Sequence, residues 1–119
     1  MSNPDVAWAA GFFEGEGHVK CVKRKNVKRT DRYFSIEIAQ VYPEPLEYFK
    51  DIFGGKVYGP YGPYSTNKQP YYMYAAYGAV ARDALDLMMP YLFRKGDQAR
   101  KALDEWNEYR REKEAPSLC

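Results

Sequence analysis

Two acidic residues separated by one glycine, Glu14 and Glu16, are the residues of this chain best suited to chemistry. They end an apolar segment, and Gly15 and Gly17 supply the turns that end helices, so we expect the helix to stop near these two glycines. If it stops at Glu14, the Glu16 carboxylate projects past its end. Acidic groups there oppose the negative end of the helix dipole and cost up to about 1 kcal/mol unless a cation compensates them. A divalent metal held by a carboxylate and by a backbone carbonyl beside a glycine would compensate directly. A solvated glutamate in a turn is the alternative interpretation.

The segment that leads to these acids carries small residues at helical spacing. Ala7, Ala10 and Gly11 stand among bulky aromatic residues, and small side chains let a second helix approach closely. Because the chain has one such segment, the natural second helix is the same one from another copy. A two-fold axis through that contact would place the two Glu16 side chains side by side, which predicts a homodimer.

The rest of the chain alternates between strand-like and helix-like patterns. Apolar residues alternate with polar ones in two hairpins, 18–42 and 56–77, and recur at helical spacing in 46–53 and in two later helices. This order predicts an α+β fold of the αββαββα type, in which both hairpins form one four-stranded antiparallel sheet with helices on one face. We expect residues 1–112 to form a single domain and 113–119 to be a flexible tail.

The uncovered face of the predicted sheet is expected to carry basic, tyrosine and other polar side chains. The candidates are Lys20, Arg24, Tyr33, Ser35, Glu37, Lys56, Tyr58, Tyr72 and Tyr74. An antiparallel sheet with one such wet face has about the width to lie in a DNA major groove. Solvated tyrosines that face no partner are the alternative.

The positive charge of the chain is concentrated in one segment. The formal net charge of +2 is too small to identify a class of partner. Residues 18–42 carry seven Lys or Arg against two acidic residues, a net +5 that the remainder of the chain offsets. This distribution favours a nucleic-acid-binding face, although lysines that keep an edge hairpin soluble would give the same pattern.

A resemblance to a known family rests on residues 8–17, Trp-Ala-Ala-Gly-Phe-Phe-Glu-Gly-Glu-Gly. This segment resembles the signature of the LAGLIDADG homing endonucleases, with Ala9 in place of the usual leucine and glutamates in place of aspartates. The similarity extends to the order of elements, to Gln40 after the second strand, and to residues 90–99 before the last helix.

The resemblance implies a role for each matching residue. Glu16 corresponds to the metal-binding catalytic acid, and Gly15 to the residue whose carbonyl completes the coordination. Gln40 and Lys95 correspond to polar residues that organise water around the scissile phosphate, and Lys95 also offers charge to the transition state. Glu14 corresponds to a position that is more often structural. Where a basic residue often follows the glutamine, this chain has Glu44, which is a departure from the family pattern.

The resemblance further implies a site-specific endonuclease that cuts double-stranded DNA with Mg²⁺, or with Mn²⁺ as a substitute. With one motif per chain, it implies a homodimer, a palindromic or nearly palindromic target, and intron or intein mobility, without a small-molecule cofactor. Two alternatives remain open: a DNA- or RNA-binding relative that does not cut, such as a maturase or regulator, and a protein-interaction domain.

Cysteine positions and hydropathy favour an intracellular protein. Cys21 and Cys119 are separated by nearly the whole chain, so we expect no disulfide. No apolar run approaches the ~18 residues of a membrane span, and the first ten residues lack the features of a secretory signal. We expect no membrane partner and a location with the target DNA, in the cytoplasm, the nucleoid or an organelle matrix.

Overall fold

The chain forms an α+β fold in which a helix-and-hairpin unit occurs twice. A computed structural model describes residues 3–25, 30–62 and 69–114, with side chains for 3–21, 34–62 and 69–111. Its elements are α1 (Asn3–Glu16), β1 (Gly17–Lys25), β2 (Thr30–Gln40), α2 (Pro43–Phe53), β3 (Lys56–Tyr61), β4 (Tyr71–Tyr77), α3 (Gly78–Met88), a 3₁₀ turn (Met89–Tyr91) and α4 (Gly96–Glu114). This order confirms the predicted fold class.

The four strands form one antiparallel sheet in the order β1-β2-β4-β3. Ile38 of β2 lies opposite Gly17 of β1 on one side and Tyr74 of β4 on the other. The two hairpins are therefore joined through their inner strands, β2 and β4, and the first and third strands form the edges. The predicted arrangement of two hairpins in one sheet is confirmed.

Helices cover one face of this sheet, and aromatic side chains fill much of the space between the two layers. The Phe49 ring of α2 lies near the middle, with its centroid 4.8 Å from that of Tyr74 and 6.3 Å from that of Phe13. Trp106 of α4 stacks on Phe34 of β2 at a centroid distance of 5.5 Å. Such aromatic pairs contribute about 0.5–1.5 kcal/mol each beyond the area that they bury.

The junction between α1 and β1 has no linker, and the helix ends at Glu16, between the two glycines near which it was predicted to stop. Gly17 permits this junction through packing and not through backbone conformation, since its φ is not positive. A Cβ atom on Gly17 would lie 2.2 Å from Cδ1 of Phe13, whose side chain is fully buried. The position of the Glu16 carboxylate therefore depends on the absence of a side chain at the next residue.

The end of α2 is set by two glycines and one buried tyrosine. Gly54 and Gly55 have φ of 89° and 98°, a region that glycine occupies without strain. Tyr74 donates a 2.7 Å hydrogen bond from its hydroxyl to the Gly54 carbonyl oxygen. Burial raises the pKa of Tyr74 well above its usual range, so this hydroxyl stays protonated and connects β4 to α2.

The last helix continues to Glu114, two residues beyond the predicted domain end at 112. The rest of the predicted tail, residues 115–119, lies outside the described residues. None of the helices in the described ranges is long and apolar enough to span a membrane.

Replacing Gly17 with Ala tests the packing at the α1–β1 junction. We expect Gly17→Ala to lower the free energy of unfolding by about 1–3 kcal/mol, because the new methyl group overlaps the Phe13 ring. Gly96→Ala is the matched control, since a Cβ atom there meets nothing within 4 Å. Urea unfolding of both variants measures the difference, and equal stabilities would contradict the packing argument.

Candidate active site and nucleic-acid interface

The end of α1 is attached to the turn before α4 through the Glu14 side chain. Its Oε2 atom accepts a hydrogen bond from the Phe93 N–H at 3.1 Å, and Oε1 accepts from the N–H groups of Arg94 and Lys95, the latter at 3.1 Å. The Lys95 carbonyl accepts the first hydrogen bond of α4, from the Ala99 N–H at 2.8 Å. The carboxylate therefore lies at the positive end of the α4 dipole, where a negative charge is stabilised.

The Lys95 side chain in turn binds the backbone of Glu14. Its Nζ atom donates to the Glu14 backbone carbonyl oxygen at 2.6 Å. Each residue thus uses its side chain to bind the backbone of the other, although they are 81 residues apart in the chain. We call this pair of contacts the Glu14–Lys95 clamp. It brings the Lys95 ammonium to the last turn of α1, one residue from Gly15 and two from Glu16.

The clamp keeps Glu14 ionised. Desolvation raises the pKa of this carboxyl, but the hydrogen bonds from the backbone N–H groups of Phe93, Lys95 and Arg94, together with the positive charge of Lys95, outweigh it. The pKa of Glu14 is therefore below its ordinary value. Glu14, the other acidic residue of the motif, therefore uses its carboxylate for hydrogen bonds within the chain.

Glu16 has the opposite surroundings. It is the last residue of α1 and its side chain is exposed. Within the described residues its carboxylate has no hydrogen bond and no ion pair. Gly15 is also exposed, and the last four carbonyls of a helix have no partner further along it. A carboxylate and a carbonyl are the oxygen ligands that Mg²⁺ and Ca²⁺ prefer, so this donor set fits a divalent metal.

One copy of the chain supplies only part of such a site. The described residues contain no group of three or more His, Cys, Asp or Glu side chains that could hold a metal ion. Mg²⁺ takes six ligands, several of which are usually water. The single Glu16 and the Gly15 carbonyl provide two of them at most.

Gln40 and Glu44 lie at the same end of the sheet as the end of α1. Gly17 pairs with Ile38, so Gln40, the last residue of β2, extends two positions beyond that pair. Gln40 is half-buried and, within the described residues, makes no hydrogen bond to Glu16 or Lys95. Glu44 is exposed in the first turn of α2. It places a negative charge where the family pattern has a positive one.

The open face of the sheet is identified by the register. Lys20 lies opposite Ser35, His18 opposite Glu37, and Lys56 opposite Ala75. Lys20 and Lys56 are exposed, and Lys20 Nζ forms a 2.9 Å ion pair with Glu37 Oε2. Tyr58 lies opposite Met73 on this same face. The placement of these predicted contacts on the open side agrees with the sequence pattern.

The prediction that Tyr72 and Tyr74 line the open face is wrong. Tyr72 lies opposite Gln40 and Tyr74 opposite Ile38, and Ile38 is fully buried under the helices. Tyr74 is itself fully buried, and Tyr72 is half-buried against the core. Because neighbouring residues of a strand point to opposite faces, β4 turns its other residues to the open side.

Three other predicted contacts have restricted or undescribed positions. Ser35 is on the open side but 0% exposed, and its hydroxyl has no hydrogen-bond partner in the described residues, so it offers no direct contact surface. The strand positions of Arg24 and Tyr33, opposite Asp31 and Val22, continue the row that contains Lys20 and Ser35. Their side chains lie outside the described residues.

Four aromatic and thioether side chains that the sequence reasoning missed occupy the open face instead. They are Tyr61, Tyr71, Met73 and Tyr77. Together with Glu37, Tyr58 and Ala75 they line a shallow depression of about 410 Å³. Predicting these residues would have required the register of β4 against β2. The sequence of β4, Tyr-Tyr-Met-Tyr-Ala-Ala-Tyr, does not indicate that register, because neither side of the strand is clearly polar.

The outer side of α1 also differs from the predicted helix contact. Ala10 is fully buried within its own chain, so the prediction that it lies at a dimer interface is wrong. Ala7 and Gly11 are exposed, and Gly15 extends the same helical stripe at four-residue spacing. A Cβ atom on Gly11 or Gly15 would meet nothing within 4 Å.

Known structures of similar shape are homing endonucleases. No protein-family profile and no curated protein sequence matches the chain. The homing endonuclease I-CvuI in complex with its target, in the presence of Ca, superposes with a TM-score of 0.75 and 20% identity over 92% of this chain and 70% of that one. An archaeal intron-encoded homing endonuclease, I-Vdi141I complexed with DNA, gives 0.72 and 16% over 90% and 69%.

The chain has the LAGLIDADG homing endonuclease fold. The meganuclease I-SmaMI bound to uncleaveable DNA also shares it, with a TM-score of 0.71 and 15% identity. In that comparison 95% of this chain covers only 39% of the other. The family resemblance carried by residues 8–17 is therefore confirmed at the level of the fold.

Acid pH should weaken the fold through Glu14. Its folded-state pKa is lowered, so its contribution to stability is complete above the ordinary value of about 4.5 and is lost as the pH falls through the folded-state pKa. We expect Glu14→Gln to be less stable than wild type at neutral pH and to lose less stability on acidification. Urea unfolding at several pH values measures this, and Glu108→Gln, an exposed glutamate of α4, reports the cost of a surface substitution. Parallel pH dependences of wild type and Glu14→Gln would contradict the clamp.

Proposed function

We propose that the protein is a site-specific endonuclease that cuts double-stranded DNA as a homodimer with a divalent metal. The observation that carries the proposal is the exposed Glu16 carboxylate, which has no hydrogen bond or ion pair within the described residues and follows by two residues the Glu14 carbonyl that Lys95 Nζ binds. The shared fold supports it, because I-CvuI and I-Vdi141I, which have that fold, are homing endonucleases in complex with DNA.

Each site residue has a distinct task in this proposal. Glu16 and the Gly15 carbonyl would hold Mg²⁺, and the bound ion would supply activation of water and neutralisation of charge at the scissile phosphate. Lys95 donates N–H groups and positive charge to the phosphate oxygens as negative charge develops on them. Gln40 orients water at the same end of the sheet. Glu44 adds negative charge nearby, which we expect to moderate the reaction.

The homodimer is supported by the exposed side of α1. The apolar side chains of α1 are distributed around the whole helix, which is typical of a helix that is buried on all sides. The described part of its own chain buries the side of Val6, Ala9, Ala10 and Phe13. A second copy along the Ala7, Gly11 and Gly15 stripe would cover the rest and join the two Glu16 sites. Phe93, 89% exposed on the segment held by Glu14, would lie beside that contact.

DNA binding by the open sheet face is supported by its charges and its aromatic side chains. Lys20 and Lys56 provide phosphate contacts, which position a protein on DNA without reading sequence. Glu37 can accept a hydrogen bond from a cytosine amino group, and the tyrosines and Met73 offer apolar contact to thymine methyl groups. Two copies related by the α1 contact would extend this surface into one long saddle, which fits a palindromic or nearly palindromic target.

The proposal is tested by cleavage of DNA that the protein itself selects. Target sequences are selected from a randomised library in Ca²⁺ and then incubated with Mg²⁺. We expect wild type to cut the selected DNA and Glu16→Gln to bind it in Ca²⁺ with a similar dissociation constant without cutting. Glu108→Gln, at an exposed position about three and a half turns along α4 from Lys95, is the matched control and should cut like wild type.

Two outcomes would redirect the assignment. Wild-type cleavage by Glu16→Gln would remove this residue from the active site. Tight, sequence-selective binding without cleavage in Mg²⁺ or Mn²⁺ would assign the chain to the non-cutting DNA- or RNA-binding class, and Glu44 is the feature that favours that class. If the protein binds no DNA from the library, the result would favour the remaining class, a protein-interaction domain.

The dimer contact is tested by adding bulk to α1. Gly11→Leu should not harm folding of one chain, because the position is open and leucine is a better helix former than glycine by nearly 1 kcal/mol. Between two closely packed helices the same side chain should cost about 1–3 kcal/mol, a rise of about five- to 150-fold in the dimer dissociation constant. Sedimentation equilibrium measures this constant.

The matched control for the dimer test is Ala79→Leu, at an exposed small residue of α3. This variant should dimerise like wild type. Equal dimerisation of Gly11→Leu and wild type would place the subunit contact elsewhere.

A further inference from the structure

Glu14 holds Lys95 at two points, the backbone N–H and the ammonium at the tip of the side chain. The Glu14 carboxylate accepts the Lys95 backbone N–H at 3.1 Å, and the Glu14 carbonyl accepts Lys95 Nζ at 2.6 Å. A lysine side chain otherwise samples many rotamers, and fixing it costs conformational entropy. Folding has therefore already placed this ammonium before any substrate is bound.

The held ammonium keeps capacity for another partner. A lysine ammonium has three N–H donors, and the Glu14 carbonyl takes one of them. Within the described residues, Lys95 Nζ makes no ion pair with a carboxylate. Two donors and a full positive charge therefore remain at the end of α1, beside the residues that we propose as metal ligands.

The carboxylate of Glu14 is committed to this task. It accepts three successive backbone N–H groups, from residues 93–95, so its oxygens are already occupied by donors from its own chain. A glutamine in its place would present one NH₂ group to those N–H donors. That NH₂ group would then face a backbone N–H group, and two donors cannot form a hydrogen bond. The turn of residues 93–95, which carries Lys95, would be held less firmly.

We infer that Glu14 is a positioning residue for DNA cleavage, which acts through Lys95 and touches neither the DNA nor the metal. This inference rests on the proposed function. It differs from a tether that merely attaches α4, because a tether would affect stability whether or not Lys95 is present. A positioning residue loses its effect on the reaction once the group that it positions has been removed.

The test is a double-mutant cycle of Glu14→Gln and Lys95→Ala, with single-turnover cleavage of prebound DNA in Mg²⁺ as the readout. We expect Lys95→Ala to slow cleavage by about 10²-fold, a typical cost of losing one transition-state donor. Glu14→Gln should slow it by about tenfold or more, but by no more than Lys95→Ala does. The double variant should cut at the rate of Lys95→Ala alone.

Two further measurements separate positioning from general damage. The dissociation constant of the DNA complex in Ca²⁺ should change less than about threefold in every variant, so the loss should fall on the rate and not on binding. Hydrogen exchange of the backbone amides of residues 93–95 should accelerate in Glu14→Gln without DNA. Glu14→Asp, which keeps the charge on a shorter side chain, should restore part of the rate if Glu14→Gln folds poorly.

The outcomes distinguish the inference from the proposed function. If wild type leaves its selected DNA uncut, the proposed function fails and the positioning role fails with it. If wild type cuts, additive losses in the double variant, or a wild-type rate in Glu14→Gln, would overturn the positioning role alone. Unchanged amide exchange in Glu14→Gln would also overturn it, because the clamp would then not hold the turn.

Discussion

The Glu14–Lys95 clamp is the contact on which the geometry of the candidate site depends. It joins the last turn of α1 to the turn before α4, through two residues that are 81 positions apart in the chain. The next residues after Glu14 lead directly into β1, whose pairing with β2 positions the whole sheet. α4 in turn packs on β2 through Trp106 and Phe34. One pair of contacts thus fixes the helix end, the sheet and the lysine relative to each other.

The clamp also separates the two acids of the motif into different roles. Sequence reasoning suggested that a metal ion compensates the acidic end of α1. In the fold, a large part of that compensation comes from the chain itself, since Glu14 receives three backbone N–H groups and the Lys95 ammonium binds the helix carbonyl. Among the residues that the structure describes, Glu16 has no such partner. The same local charge pattern therefore yields one structural acid and one acid that is open to a ligand.

The sequence predicts the order of helices and strands well, because each helix–strand boundary carries its own local signal. Gly54 and Gly55 mark the end of α2, and Pro90 marks the end of α3. The facing of β4 could not be predicted, since its residues are aromatic or apolar on both sides and a shift of one residue exchanges them. The burial of Ala10 was missed for a similar reason, because α1 is apolar all round. The partner of Glu14 depends on tertiary structure and has no signal near it in the sequence.

Mapping the cut positions on both strands of a selected target tests whether the protein is a symmetric, metal-dependent endonuclease. The protein is incubated with that DNA in Mg²⁺, and the product ends of each strand are located at single-nucleotide resolution. Two Glu16 sites related by a two-fold axis predict one cut per strand, placed symmetrically about the centre of the target. Intact strands, or cuts whose positions lack this symmetry, would show that the protein is not such an endonuclease.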